Sequence, residues 1–544
     1  MKDIIIVRPD RCKGCNACVR VCPAPEANVT MKMDNGHIYT KVNVDKCIAC
    51  GECLKVCTQG ARDYVDDTAV FMSKIKDERM VVIVDPSIRI AYPNQWKGIL
   101  GWFKKRSYTI FDGGFGADIY TWAMMSLLEA KNIPNIVSNS CSALVNYVQM
   151  YQPSLVQNLA PVASPTLCAA IYVKNYLRRN EKIVVFSPCI ARKFECAETG
   201  LIDYSVTFKK LMEYFQKNDI VIPSENYPDN DFEFYEKVAN VGSLSTRPGG
   251  LCENIANFNM HINGIYSAGN RSATTQLNSF SKMQSNRLPD LLDALSCDFG
   301  CGLGPGSNPN NSCFDVIANF KSLEDDMRAK SRGKVKWGDE KLWKKLDDEL
   351  ELDDFIRSYA PKRTSPNPTD ADLEPIFNQM GKKTDKERTY NCGYCGYTTC
   401  REMATAIYRD INTPDNCIFH VLANKQTEIK QDDEKNAKYE EFSQKVAEKA
   451  QAISENLSKI DDASAKTAEK KDTVTELLKN IIAFCNKNTS MDEASVKQMA
   501  TILETTMNSL ESFDENIDVA NDGAKAINTS VSELNELLEA LKEA

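Results

Sequence analysis

Two cysteine runs of identical spacing constrain this chain more than any other feature. Cys12, Cys15, Cys18 and Cys22, followed by Pro23, spell C-x2-C-x2-C-x3-C-P. Cys47, Cys50, Cys53 and Cys57 repeat the spacing, with Thr58 in place of the proline. Three-residue steps suit the corners of an iron–sulfur cubane, and in this pattern the fourth cysteine of each run serves the other cluster. Cys12, Cys15, Cys18 and Cys57 are thus expected to hold one cubane, and Cys47, Cys50, Cys53 and Cys22 a second. A pair of zinc ribbons is the competing reading, because four thiolates also suit that ion.

The doubled run resembles the bacterial two-cluster ferredoxins, whose fold carries electrons and does no chemistry of its own. It therefore implies a redox partner domain. The chain has 544 residues and 21 cysteines, which fall in clumps. The start, MKDIIIVRPD, is charged too early for a secretory signal, and no run of about 18 apolar residues could span a bilayer. A cytoplasmic location is expected, where disulfides are rare and clumped cysteines point to metal. His37, His261 and His420 are too few for zinc chemistry built on several histidines. The net charge of −9 is spread along the chain and suggests no nucleic-acid partner.

From Met80 onward the pattern changes. Val81–Val84 and Glu181–Phe186 read as buried strands, Asn135–Val137 as a short one, and Asp118–Ala130 and Leu155–Arg178 as helices. Strands alternating with helices predict an α/β region with a parallel sheet, whose ligands gather beyond the carboxyl ends of strands. Pro86 and Cys189 fall in that position. Cys141, Cys189, Cys297 and Cys301 lie in turns with small neighbours and are candidate ligands. Cys168, Cys196, Cys252 and Cys313 compete with them, although Cys168, between Leu167 and Ala169, reads as a small buried hydrophobe. Around Cys297 and Cys301 the glycine-rich turn would let the backbone approach the sulfurs closely.

Three stretches in order resemble the signature loops of the iron-only hydrogenases. Ser138–Leu144 is similar to T-S-C-C-P-x-W, Ser187–Glu195 to M-P-C-x-x-K-x-x-E, and Asp293–Gly306 to E-x-M-x-C-x-x-G-C-x-x-G-G-G. The resemblance runs from about Met80 to Phe320, and a ferredoxin module is a usual companion of this domain. It implies an H-cluster, in which a cubane is bridged by a cysteine to a diiron unit carrying carbonyl and cyanide ligands. By position, Cys141, Cys189, Cys297 and Cys301 would hold the cubane, with Cys301 the bridge. Arg192 stands for the family's lysine and would donate to a cyanide. Ser87, in Asp85-Pro86-Ser87-Ile88-Arg89, would donate a second bond, because the stretch resembles A-P-S-I-R. A surface ion pair between Arg192 and Glu195 is the plain alternative.

The departures carry equal weight. In fast members a cysteine just before the first-loop ligand relays protons; here that residue is Ser140. A thiol ionises near about 8.5 and an alcohol is a far weaker acid, so proton transfer should slow. The family's relay continues through residues that are Ala160, Ala123 and Met124 here, none of which carries a proton. Ser187 and Leu295 replace two methionines. This is the appearance of the sensory-type branches. An ordinary ferredoxin-linked hydrogenase and an iron–sulfur adaptor without the diiron unit are the rival readings.

Beyond Ile317 charged helical stretches run to about Tyr359, and Pro361–Pro368 reads as an extended linker. Cys392, Cys395, Cys400 and Cys417 then give C-x2-C-x4-C with a distant fourth cysteine. This resembles the small cubane domain of electron-transfer and one-carbon enzymes, with zinc as the alternative. From Val421 on, apolar or small residues from Val496 to Leu541 alternate in steps of three and four, a coiled-coil heptad. Such a helix must pair its seam, and about 46 residues would make a rod of roughly 70 Å.

The expected organisation is an α/β multidomain chain. It comprises a ferredoxin-like two-cluster module (1–78), an α/β H-cluster domain (79–360), a small 4Fe-4S domain (361–420) and a helical coiled coil (421–544). Its cofactors would be three 4Fe-4S clusters plus the H-cluster. The resemblance further implies H2 and protons as substrates, ferredoxin or another redox partner, and hydrogenase maturation proteins; the heptads imply a homodimer.

Overall fold

The computed structural model describes residues 4–130, 133–222, 232–258, 260–330, 340–362, 366–461, 468–487, 492–511 and 521–543. Its strands in chain order are β1 (Ile5–Val7), β2 (Asn28–Lys32), β3 (Ile38–Val42), β4 (Arg62–Tyr64), β5 (Met80–Val84), β6 (Thr109–Asp112), β7 (Ile136–Val137), β8 (Lys182–Ser187), β9 (Tyr204–Thr207), β10 (Gly264–Ala268) and β11 (Leu291–Leu295). The first four form two small antiparallel pairs, β1 with β4 and β2 with β3. The cysteine-bearing turns of the N-terminal module hang between these pairs, where short loops can reach a cluster without a large core.

The α/β region holds two parallel sheets where the sequence pattern suggests one. The larger has the order β6-β5-β8-β9, the smaller β10-β11-β7. Val81 to Val84 are buried on both faces of the larger sheet, as expected for a parallel sheet covered by helices on each side. The long helix Gly113–Ala130 packs most closely on Pro165–Ile171. The helix expected over Leu155–Arg178 is broken. A 3-10 turn spans Pro153–Asn158, an α-helix Pro165–Ile171 and a π-turn Tyr172–Tyr176. Pro161 and Pro165 lack the N–H a continuous helix needs, and Pro165 instead occupies the first helical turn behind a Ser164 cap.

Residues 1–418 form one compact unit and 419–544 another. Within the first unit, the linker expected at Pro361–Pro368 is pinned beside its middle, which lies outside the described residues. The Lys362 N–H donates to the Gln149 carbonyl at 2.8 Å, and Arg409 donates to the Pro366 carbonyl at 2.9 Å.

The second unit corrects the expectation of a rod. Helices Ile418–Asp461, Ala468–Lys487, Glu493–Glu511 and Asn521–Glu543 contribute to one apolar core. Ile453, Leu457, Leu478, Ile481, Met499, Leu503, Leu534 and Leu538 meet there, and Lys449 pairs with Glu533 at 2.6 Å. The last two helices pack on each other instead of running on as one. Phe513, Ile517 and Ala520 of the expected seam lie outside the described residues. The heptad pattern is thus covered within one chain, which pays no association entropy. The seam therefore gives no reason of its own for a homodimer. No helix among the described residues is long and apolar enough to cross a membrane.

Candidate metal centre

Three loops leave the carboxyl ends of parallel strands and converge. Cys141 follows β7 and precedes helix Ser142–Tyr151, Cys189 follows β8, and Cys297 and Cys301 follow β11. β7 and β11 are parallel neighbours in the smaller sheet, so the Cys141 and Cys297 turns leave it on the same side, and the Cys189 turn meets them from the larger sheet. Cys301 lies within electrostatic reach of Cys297, Cys189 and Cys141, and Cys297 within reach of Cys141 and Cys189. Burial pushes the Cys189 thiol up to about 11, with Cys141 adding to the rise and Arg192 opposing it. Burial, with the neighbouring thiols adding to it, also lifts Cys297 and Cys301 well above the usual thiol range. Sulfurs buried in this way become thiolates only against strong positive charge, which iron supplies. Among the described residues no three His, Cys, Asp or Glu side chains close on a single-ion point.

The third loop is locked by its glycines. Gly300 has φ +78° and lies against the Thr246 carbonyl, which accepts the Cys301 N–H at 2.9 Å. The Gly306 N–H donates to the Pro188 carbonyl at 2.8 Å, so the Cys297–Cys301 turn is tied directly to the Cys189 loop.

Beside Cys301 lies a narrow cleft lined by Asp85, Pro86, Ser140, Arg192, Thr246 and Leu295, among others. Arg192 is 6% exposed, so the surface ion pair considered above becomes a buried one. Its Nη1 donates to the Glu195 carboxylate and, at 3.1 Å, to Ser164 Oγ; Glu195 also accepts from Arg357 at 3.1 Å. Its Nε is buried and has no hydrogen-bond partner. Arg192 lines this cleft and keeps one guanidinium N–H unpaired, the kind of donor an anionic ligand such as cyanide needs, so the residues fit the group.

Ser87 is different from expectation. Its Oγ donates to Asp85 Oδ1, and its N–H reaches the same oxygen at 2.9 Å. Both donors are spent inside the turn, and Ser87 does not line the cleft. Asp85 does, and it is the residue that the sequence reading passed over. It replaces alanine in the A-P-S-I-R resemblance, a signal that was visible. No donor among the described residues reaches its Oδ2. Burial raises its pKa, with Ser87 and Arg192 opposing and Asp112 adding to the rise. Ala160, Ala123 and Met124 are fully buried in the apolar core, which offers no proton carrier along that line.

The ferredoxin module abuts this cage. Cys22, Cys47, Cys50 and Cys53 interact mutually, the set expected from the crossed ligation pattern. Burial pushes Cys47 up to about 11. Asn270 donates to Cys50 Sγ at 3.4 Å, and Lys55 lies close enough to Cys297 to affect its charge. In the other quartet Cys18 is buried, Cys12 and Cys57 are half-buried and Cys15 is exposed.

On the far side, Cys395 is near Cys417 and Cys392, and burial followed by those neighbours pushes it up to about 11. Cys400 opens helix Cys400–Tyr408 behind a Thr399–Glu402 capping box, and its N–H donates to Asn391 at 2.8 Å. This segment is docked on the first ferredoxin loop. Asn16 and Asn416 exchange buried hydrogen bonds at 2.8 and 3.2 Å, and Cys18, Val19, Cys395, Cys400 and Cys417 share one apolar cluster.

Three family models match parts of the chain. Residues 78–294 match the family described as "Iron only hydrogenase large subunit, C-terminal domain". Over those residues the chain thus carries an iron-only hydrogenase large-subunit domain. The match ends at Ala294, so Cys297 and Cys301 lie just beyond it. Residues 4–58 match the 4Fe-4S dicluster domain, and 389–419 a family described only as an Fe-S cluster. FeFe-hydrogenase HydA1 from Chlamydomonas reinhardtii, in a variant form, is 13% identical with a TM-score of 0.43. HydA(deltaEFG), from a study of stepwise H-cluster assembly, is 14% identical with a TM-score of 0.42. Each alignment covers 55% of this chain and 99% of the other. No curated protein matches the chain in sequence.

Proposed function

We propose that this iron-only hydrogenase family member is a slow, sensory-type enzyme that binds and oxidises H2 at an H-cluster. Its cubane would be held by Cys141, Cys189, Cys297 and Cys301, with Cys301 bridging to the diiron unit. The bound group supplies the metal site at which H2 is split into two protons and two electrons. Arg192 holds it through the unpaired Nε–H, while Leu295 and Pro86 exclude water. Cys22, Cys47, Cys50 and Cys53 beside the cage would hold the first electron acceptor, and Cys12, Cys15, Cys18 and Cys57 followed by Cys392, Cys395, Cys400 and Cys417 would hold the next ones. Cys417 directly precedes the helix that opens the C-terminal bundle, which supports a signalling output from the redox state of that cluster. The expected cytoplasmic location and the redox and maturation partners belong to this reading.

What supports the proposal is the convergence of Cys141, Cys189, Cys297 and Cys301 beside a cleft whose usual proton route is apolar. Within the cleft, Asp85 Oδ2 is the group suited to take each proton in turn and pass it to water. After maturation, a hydrogen-uptake assay tests the sensory reading; a rate typical of fast family members would overturn it. Ser140→Cys is expected to raise turnover less than about 10-fold, because general acid–base catalysis needs a complete path beyond the first donor. The second reading, an electron-transfer adaptor without the diiron unit, is favoured by the commitment of Ser87 to Asp85.

A further inference from the structure

Arg62 on β4 is 8% exposed and lies between the two ferredoxin cysteine runs. Its Nη2 donates to Cys18 Sγ at 3.1 Å, to Asn28 Oδ1 at 2.7 Å and to Thr40 Oγ1 at 2.9 Å. Its charge also acts on Cys53 and Cys22, and its Nη1 is buried with no hydrogen-bond partner. No carboxylate among the described residues pairs with it. A buried cation facing only neutral oxygens is strongly disfavoured, so such groups come with a counter-charge. The sulfurs of Cys18, from one expected quartet, and of Cys53 and Cys22, from the other, are the anions within its reach.

We propose that Arg62 is a positioning residue shared by both ferredoxin cubanes, which raises the reduction potential of each through one guanidinium. The inference concerns the dicluster module and goes beyond the hydrogenase reading. Adding an electron makes a thiolate-bound cubane more negative, so a fixed nearby cation stabilises the reduced form more than the oxidised one. Hydrogen bonds to ligand sulfur act in the same direction. Because Arg62 donates to a sulfur of one quartet and its charge reaches the other, it couples the two potentials and keeps neither cluster as an isolated trap along the electron path.

The test is a potentiometric titration of the reconstituted full-length protein, followed by electron paramagnetic resonance, in native, Arg62→Gln and Arg62→Lys forms. Iron and acid-labile sulfide per chain are measured in parallel. Arg62→Gln is expected to move both ferredoxin couples to more negative potential at unchanged iron content, and Arg62→Lys to move them by less. If Arg62→Gln loses iron, Arg62→Lys decides, since it retains the charge without the fork. Its two couples should both lie below the native ones, and unmoved couples would overturn the proposal. So would an Arg62→Gln protein in which either couple stays at its native value.

Discussion

Asp85→Asn is expected to lower hydrogen uptake by about 100-fold while leaving the carbonyl and cyanide infrared bands in place. Asparagine keeps the size of the side chain and can still accept from Ser87, which donates twice to Asp85 Oδ1. What it removes is the proton acceptor at Oδ2, in the cleft wall shared with Cys301 and Arg192. Asp85→Glu should recover part of the rate, since it restores a carboxylate at a slightly altered reach. A variant with the native rate would show that protons leave by another route. Loss of the bands in Asp85→Asn would show that the residue supports assembly and not proton transfer.

Cys301→Ser is expected to abolish the carbonyl and cyanide bands altogether while the ferredoxin clusters keep their paramagnetic signals. The two sites separate in this way because Cys301 belongs to the cage and contacts neither ferredoxin run through a hydrogen bond among the described residues. Its neighbours are Asp85 and the other three cage thiols. Serine is a poor iron ligand by comparison with a thiolate, so the single bridge would be lost. Bands that persist unchanged in this variant would move the bridge to another cysteine.

The cage could be anticipated from the sequence because its parts are local. Cys141, Cys189, Cys297 and Cys301 sit in short turns whose neighbours are small, and strand-end geometry does the rest. The crossed quartet of Cys22 with Cys47, Cys50 and Cys53 was likewise written in the spacing. What could not be read was the orientation of individual side chains. Ser87 has the right residue type, yet Asp85 two positions earlier captures its hydroxyl, and only coordinates show which neighbour wins. Arg192 could equally have formed a surface pair; its burial depends on Ser164, from a distant segment, and on Arg357, which holds Glu195 from the other side.

The C-terminal region shows the opposite limit. A heptad pattern fixes that an apolar stripe must be covered, not by which chain. Leu503 and Leu534 are buried by helices of the same chain, an arrangement with the same periodicity as an intermolecular coiled coil. The docking of the Cys392–Cys417 segment was also invisible beforehand. It rests on a pair of asparagines, Asn16 and Asn416, 400 residues apart in sequence.

Infrared spectroscopy of the full-length protein after maturation tests the central claim most directly. Bound carbonyl and cyanide have no other source in this chain, so the account predicts a set of bands in both stretching regions. The native protein should show them, and Cys301→Ser should not. Competently matured native protein with a full complement of iron and no such bands would contradict the hydrogenase reading and leave an iron–sulfur relay.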